Sequence, residues 1–426
     1  MFSPIVIIAD DLTGALDSSC MFPSKGFKTR VYSDLPEYTD HLKKDIESNP
    51  SQIIVFNTET RNSSNIEIAS TYDYIFSKHK WLFMKSRIFK KVDSTIRGNI
   101  GFEIKVILKK MNLPYAFVCV SYPELKRTQS NGVLKSDGIP IDHSKNNPSL
   151  FPNIEYQTEK LLEIQSGLKT GLITQKEISI GEKHLLIKLK TLIESETKII
   201  CFDALTRQDL NKIYATTKNY FPKALLVGSA GLTKSILTAV KPTSYKPRSF
   251  RIRQKSFALI SLSFHPITKM HFIKLSANDK ILHVSIDTDV LLYKKSFDKE
   301  YERVSCIINY AISTKQNIAI NQSTQSAIAH PNTVCISKHL RIFLSKISAR
   351  LISFEFYKTL ILIGGDTAHT VLQTAGIKEI DVVKEILPGT AISFPGVGYT
   401  KKFRIITKSG GFGDENHISD LLSKLL

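Results

Sequence analysis

Short apolar runs punctuate this chain, each stopped by charge, glycine or proline and followed by a segment with helical apolar spacing. In the first half the runs are Ile5–Ala9, Thr29–Tyr32, Ile53–Asn57, 88–92, 116–120, Ile199–Phe202 and 224–227. Between them, residues 66–77, 101–111, 153–165 and 210–220 carry the helix pattern. The runs are continuous rather than alternating, which suits parallel strands covered on both faces. Repeated strand–helix units predict an α/β fold with right-handed crossovers.

The stretch Lys241-Pro242-Thr243-Ser244-Tyr245-Lys246-Pro247-Arg248 sets two prolines among polar residues and reads as a linker. A second series follows at 256–262, 281–285, 317–320, Thr359–Ile363 and 403–407. The expectation is two domains, 1–245 and 246–426, each a mainly parallel sheet flanked by helices. A length of 426 residues, too great for one ordinary core, agrees. Residues 121–153 are rich in Pro, Ser, Asn, Asp and Gly, too polar for a core element. A loop of that length is more often functional than idle. No internal repeat is visible.

Charge narrows the partners. With 58 basic and 39 acidic residues the net charge is +19, yet the basic residues are scattered pairs such as Lys43-Lys44 and Lys401-Lys402. Without a basic block or an aromatic-interleaved basic repeat, the pattern points away from nucleic acid. It suits a solvated surface plus a site for a small anion. The five cysteines are odd in number and widely spaced, without a CxxC pair or metal-ligand spacing, so buried reduced thiols are expected. The run Ile5-Val6-Ile7-Ile8 is stopped at once by Asp10-Asp11, too early for a signal peptide, and no apolar run reaches membrane-spanning length. A cytoplasmic protein without a membrane partner is expected, with a homo-oligomer left open.

Candidate chemistry lies where strands end, because open α/β sheets bind ligands there. The first strand ends in Ala9-Asp10-Asp11-Leu12-Thr13-Gly14-Ala15, where one carboxylate can face a ligand while the other caps the next helix. Lys91, Asp93, Ser94, Thr95 and Arg97 crowd five polar side chains after another strand. An Asp93–Arg97 pair alone would contribute roughly 0.3–0.5 kcal/mol, and five such groups exceed what a cap needs. The segment Pro123–Gly132 adds Arg127, a guanidinium suited to a bidentate carboxylate contact. In the second half, Ile363-Gly364-Gly365-Asp366-Thr367 and Lys408-Ser409-Gly410-Gly411-Phe412-Gly413-Asp414 put glycines where backbone N–H groups and a helix dipole meet a phosphate. Asp366 would orient a metal or hydroxyl, or simply cap its helix. Val227-Gly228-Ser229-Ala230-Gly231-Leu232 is a similar turn for which close helix–strand packing is the rival explanation. Neither a P-loop nor GxGxxG is present, and His265 and His369 are isolated, without metal-ligand spacing.

Together ADDLTGA at 9–15, KVDSTIRGN at 91–99, GSAGL at 228–232, GGDTA at 364–368 and KSGGFGD at 408–414 resemble the four-carbon acid sugar kinase family, in the family's order. The resemblance implies two α/β domains that phosphorylate the terminal hydroxyl of threonate, erythronate or 3-oxo-tetronate with ATP and Mg²⁺. It implies substrate contacts from Asp10, Asp11, Lys91, Asp93, Arg97 and Arg127, with Asp11 or Asp93 as the catalytic base. Nucleotide contacts would come from Ser263, Gly364, Gly365, Asp366, Thr367, Gly410 and Gly411. No metal ligand is assigned. Sugar and nucleotide in different domains would require domain closure. Two departures stand out. Leu262 replaces an expected glycine in Ser261-Leu262-Ser263, setting a branched side chain where phosphate would approach, and Lys126-Arg127 replaces Gly-Arg. The alternative function is therefore a relative that binds the acid sugar without turning over ATP.

Overall fold

The computed structural model describes residues 4–35, 39–49, 52–142, 157–246, 255–292, 294–323, 333–396, 398–401 and 403–425. Its strands are β1 Ile5–Ala9, β2 Thr29–Tyr32, β3 Ile53–Asn57, β4 Arg87–Lys91, β5 Ala116–Cys119, β6 Arg127–Ser130, β7 Val133–Ser136, β8 Ile139–Pro140 and β9 Thr170–Ile173. They continue as β10 Ile199–Phe202, β11 Leu225–Gly228, β12 Phe257–Ser261, β13 Ile281–Ile286, β14 Asn317–Gln322, β15 Thr359–Ile363, β16 Glu379–Leu387, β17 Thr390–Pro395 and β18 Arg404–Lys408. The chain divides into two compact units: Met1–Lys28 with Leu35–Tyr245, and Thr29–Asp34 with Lys246–Leu426.

In the first unit seven parallel strands run in the order β3-β1-β4-β11-β5-β10-β9. The chain adds β3 on one side of β1 and then crosses to place β4 on the other. A crevice therefore opens at the carboxyl ends of β1 and β4, where Ala9 pairs with Lys91. Val6, Ile7 and Ile8 are fully buried, as a strand covered on both faces requires. Ser64, Thr174 and Thr206 start helices with capping boxes.

The GSAGL turn joins β11 to the helix Ala230–Ala239, and close packing accounts for its glycines. A Cβ on Gly231 would lie 2.3 Å from the Ser121 carbonyl oxygen and 2.9 Å from Tyr122 Cα, both backbone atoms that cannot yield separately. Gly231→Ala is expected to destabilise the first unit by about 3 kcal/mol, the upper end for overpacking. An unchanged urea midpoint would contradict this.

In the second unit the order is β13-β14-β12-β15-β18-β17-β16-β2. The first five strands are parallel and the last three pairings antiparallel. Here too the chain adds β13 and β14 on one side of β12 and β15 on the other. The second crevice thus lies between the carboxyl ends of β12 and β15, where Ser261 pairs with Ile363. Its core gathers Phe257, Leu259, Ile361, Ile363, Ile406 and Leu421.

Several expectations need adjustment. Thr29–Tyr32 is a strand, but it pairs antiparallel with β16 in the second unit, held by Arg30 to Asp381 at 2.8 Å and Glu379 at 3.1 Å. Part of the polar segment after residue 121 is structured: β6, β7 and β8 form a small antiparallel sheet over a fully buried Leu134. The helix expected from 153 runs from Thr158 to Ser166, and 153–156, like 143–152, lie outside the described residues. So do Pro247 and Arg248 of the proposed linker. Cys20, Cys119 and Cys201 are buried free thiols as expected, whereas Cys306 is exposed. Among the described residues no helix is long and apolar enough to cross a membrane.

Candidate active site

Asp10 and Asp11 follow β1 at the first crevice. Asp11 caps the helix Leu12–Ser19, accepting from the Gly14 N–H at 2.9 Å and the Thr13 hydroxyl at 2.7 Å. Arg61, in the loop after β3, binds both carboxylates. Its Nε and Nη2 donate to the two Asp10 oxygens at 2.9 Å each, and Nη2 also reaches Asp11 Oδ1 at 2.7 Å. In the same loop Glu59 accepts from the Leu12 N–H at 3.2 Å and from Asn57 Nδ2 at 2.7 Å.

Lys91 ends β4, buried, and donates to the Val92 carbonyl at 3.0 Å. A Cβ on Gly14 would stand 2.8 Å from its ammonium and 2.5 Å from Asp11 Oδ1, so that glycine leaves the room these charges occupy. Asp93 accepts from Thr95 and from Arg97 Nε, the latter at 2.7 Å. Between them Ile96 is buried at φ 57°, a left-handed conformation that costs a β-branched residue roughly 1–3 kcal/mol. Arg97 stays half exposed. Arg127 opens β6, and its Nε is buried without a hydrogen-bond partner.

Electrostatics tie these groups into one cluster. Burial would raise the Asp11 carboxyl, but Arg61 and Lys91 outweigh it and leave it below the ordinary value. Burial opposes ionisation of Asp93 too, yet Arg97 and Arg61 hold it well below the carboxylate range. Both are therefore ionised at neutral pH, acceptors only. Burial lowers the Arg127 pKa, with Asp93 partly offsetting it. Behind the crevice, fully buried Lys90 pairs with Glu103, which also accepts from the Tyr72 hydroxyl at 3.1 Å. This buried layer fixes the β4 end from below.

At the second crevice the glycine turns of β15 and β18 meet the Ser261–Thr268 segment. The Gly364 N–H donates to the Lys408 carbonyl at 2.9 Å, and Gly364 itself sits at φ 100°. The Thr268 hydroxyl donates to the Gly410 carbonyl at 2.9 Å. A Cβ on Gly410 would fall 2.3 Å from Ser263 Oγ, and one on Gly411 would fall 3.0 Å from His265 Nε2. Ser263, Gly364, Thr367, Gly410 and Gly411 are thus brought together, with Gly365 and Asp366 in the first turn of helix Gly365–Thr374. Gly364, not Asp366, is the N-cap, and Asp366 remains exposed. Leu262 is 8% exposed: its side chain is buried, while its N–H donates to Thr367 Oγ1 at 3.0 Å.

Behind this cradle Lys408 is fully buried, which brings its ammonium down to about 7. His271 and His417 lie alongside; burial, helped by Lys408, lowers each to about 4. In the unfolded chain a histidine binds its proton near pH 6.5. Between pH 6.5 and 4 the unfolded state therefore holds more protons than the folded one, and stability falls as pH falls. Calorimetry should show the second unit losing stability across that window, with the slope reduced in His271→Gln/His417→Gln. A flat profile would contradict the burial of two neutral histidines.

Sequence reasoning misses Arg61 and Glu59, and it includes Lys408 only as the first residue of the KSGGFGD motif, without a role. Arg61 carried a usable signal, since β3 also ends in polar residues, Asn57-Thr58-Glu59-Thr60-Arg61.

Two family models cover most of the chain: a sugar-binding N-terminal domain over residues 5–236 and a nucleotide-binding C-terminal domain over 258–418. Among curated relatives, D-threonate kinase of Cupriavidus necator is 24% identical over 96% of this chain and 95% of its own length. D-erythronate kinase of Heliobacterium modesticaldum is also 24% identical, over 100% and 97%. For 3-oxo-tetronate kinase of Haemophilus influenzae the figures are 21%, 96% and 97%. A solved structure from Salmonella typhimurium LT2 shares the fold with TM-score 0.78 at 20% identity, covering 98% of each chain. Haemophilus influenzae protein HI1011 does so with TM-score 0.69 at 19% identity, over 99% of this chain and 100% of that one. With both domain models matched in order, the chain belongs to the four-carbon acid sugar kinase family.

Proposed function

We propose that this protein transfers the γ-phosphoryl group of ATP to the terminal hydroxyl of a four-carbon acid sugar. The observation that carries the reading is the buried Arg127 Nε without a partner, set in the same charged cluster as Asp93 and half-exposed Arg97. Unmet guanidinium donors suit a carboxylate. The ionised Asp11 and Asp93 suit the hydroxyls of the same ligand as acceptors. Arg61, itself bound to Asp10, holds Asp11 in place, Thr95 and Arg97 hold Asp93, and Lys91 adds a cation next to Asp11.

Phosphoryl transfer asks mainly for positioning and charge neutralisation, so a strongly basic group is not required. Asp11 and Asp93 are both candidates to take the hydroxyl proton. In the second unit the Gly364, Gly410 and Gly411 backbone, with Ser263 and Thr367, supports a nucleotide-phosphate cradle. Leu262 is turned into the protein, which favours the active enzyme over a relative that only binds. Mg²⁺ commonly takes one or two carboxylates together with substrate phosphates. Among the described residues no cluster of three or more ligating side chains exists, and exposed Asp366 beside the glycine turn is the carboxylate that fits. When bound, the ion would neutralise phosphate charge.

Calorimetric titration of D-threonate, D-erythronate and 3-oxo-tetronate tests the assignment. At least one should bind, and Arg127→Met should weaken it tenfold or more. Equal affinity in the variant would remove Arg127 from the site.

A further inference from the structure

A cavity of about 840 Å³ lies in the first unit at the opposite, amino-terminal edge of its sheet, where β1, β4 and β11 begin. None of the candidate active-site residues lines it. Strands of five residues separate the two ends by about 16 Å. We propose that this cavity is a second binding site, for an amphipathic small molecule with an aromatic or aliphatic body and an anionic group. The inference stands independently of the proposed catalytic reading.

Three observations carry it. First, the volume falls in the range of small-molecule sites, and its wall is aromatic: Phe76 and Phe83 meet edge-on at 4.7 Å between centroids, and Phe221 also lines it. Second, Ile88 on β4 and Leu226 on β11 are only half buried, although both strands are interior to the sheet. Parallel sheets normally bury such positions, so the helix layers leave apolar strand surface open here. Third, the rim is cationic. Lys80, Arg87, Lys110, Lys218 and Lys223 line it, and Asp73, the only acid lining it among the described residues, is paired with Lys110.

That charge distribution selects the occupant. Lys110 answers Asp73, Arg87 meets Tyr214, and Lys218 reaches the Ala239 carbonyl and the Tyr214 ring, which leaves Lys80 and Lys223 as the rim charges a neutral apolar ligand would not answer. A second copy docked about a two-fold axis would set the same cations against each other. An amphipathic anion satisfies both wall and rim.

The test uses 1-anilinonaphthalene-8-sulfonate and its uncharged skeleton, N-phenyl-1-naphthylamine, as fluorescent probes of the whole protein. The sulfonate should bind saturably at one site per chain and should not be displaced by millimolar D-threonate. Lys80→Glu/Lys223→Glu, both exposed positions, should weaken the sulfonate at least tenfold while changing the naphthylamine less than twofold. Arg87→Gln is a second variant that alters the rim by one charge and should weaken the sulfonate several-fold. Unchanged melting temperatures in both variants keep the comparison at the folded state. Displacement by D-threonate, insensitivity of the sulfonate to both variants, absence of saturable binding, or self-association that abolishes probe binding would each overturn the proposal.

Discussion

An Asp93→Asn enzyme is expected to lose about 10²–10⁴-fold in kcat/KM for the four-carbon acid, the range associated with removing a positioned proton acceptor. The amide keeps the shape of the carboxylate and discards its charge. Asp93 then no longer neutralises Arg97 and Arg61, which together hold it far below the ordinary carboxylate range. It also loses one of the oxygens offered to a substrate hydroxyl. The defect should lie in the first unit alone, so ADP binding should stay within twofold of wild type. Steady-state ADP release, paired with an ADP titration, checks both halves. A kcat/KM within tenfold of wild type would assign the proton acceptor to Asp11 or to neither.

Arg61→Ala carries the largest expected cost in stability. Arg61 donates to both Asp10 and Asp11, and all three side chains are largely buried. Removing one partner of a buried ionic network leaves uncompensated charge and typically costs about 3–5 kcal/mol. In a unit of this size that corresponds to a fall in Tm of roughly 10 °C. The pH dependence has a definite sign. In the wild type Asp11 sits below its ordinary value and adds stability that is lost as pH falls through its lowered pKa. Without Arg61, burial raises that carboxyl, so acidification relieves the variant. The gap in Tm between the two proteins should therefore narrow below about pH 4. A gap that is small at pH 7, or that widens in acid, would show that Arg61 is not the counter-ion that holds the pair.

Much of the fold was readable because buried parallel strands announce themselves as continuous apolar runs. Ile5–Ala9, Ile53–Asn57, Ile199–Phe202 and Thr359–Ile363 have the limits the sequence suggests, and most other runs differ by a residue or two. What escaped was the half-buried parallel strand Thr170–Ile173, at the end of the first unit's strand order, and strand of another kind. Glu379–Leu387 alternates buried Ile380 and Val382 with polar residues because its antiparallel ladder buries one face. Arg127–Ser130 is almost wholly polar and owes its extended form to its partner, Val133–Ser136. Thr29–Tyr32 was visible as a strand, but no local signal says that a segment beside residue 30 pairs with one beside residue 381.

The site divides similarly. The placement of Asp10, Asp11, Lys91 and Asp93 at one crevice was legible because each follows or ends a strand beside the crossover point. The polar end of β3 gives a signal for Arg61, but its partners Asp10 and Asp11 follow only from β3 lying beside β1. Lys408 was read as part of a motif, but its burial under the glycine turn is a property of the packed second unit.

The most direct test is an ATP-dependent ADP-release assay of the purified chain with D-threonate, D-erythronate and 3-oxo-tetronate, run beside Asp93→Asn and Arg97→Ala. Turnover is predicted with at least one of the three acids, falling by two or more orders of magnitude in Asp93→Asn and showing a raised KM in Arg97→Ala. No ADP release with any acid that nonetheless binds, or full activity in both variants, would contradict the account.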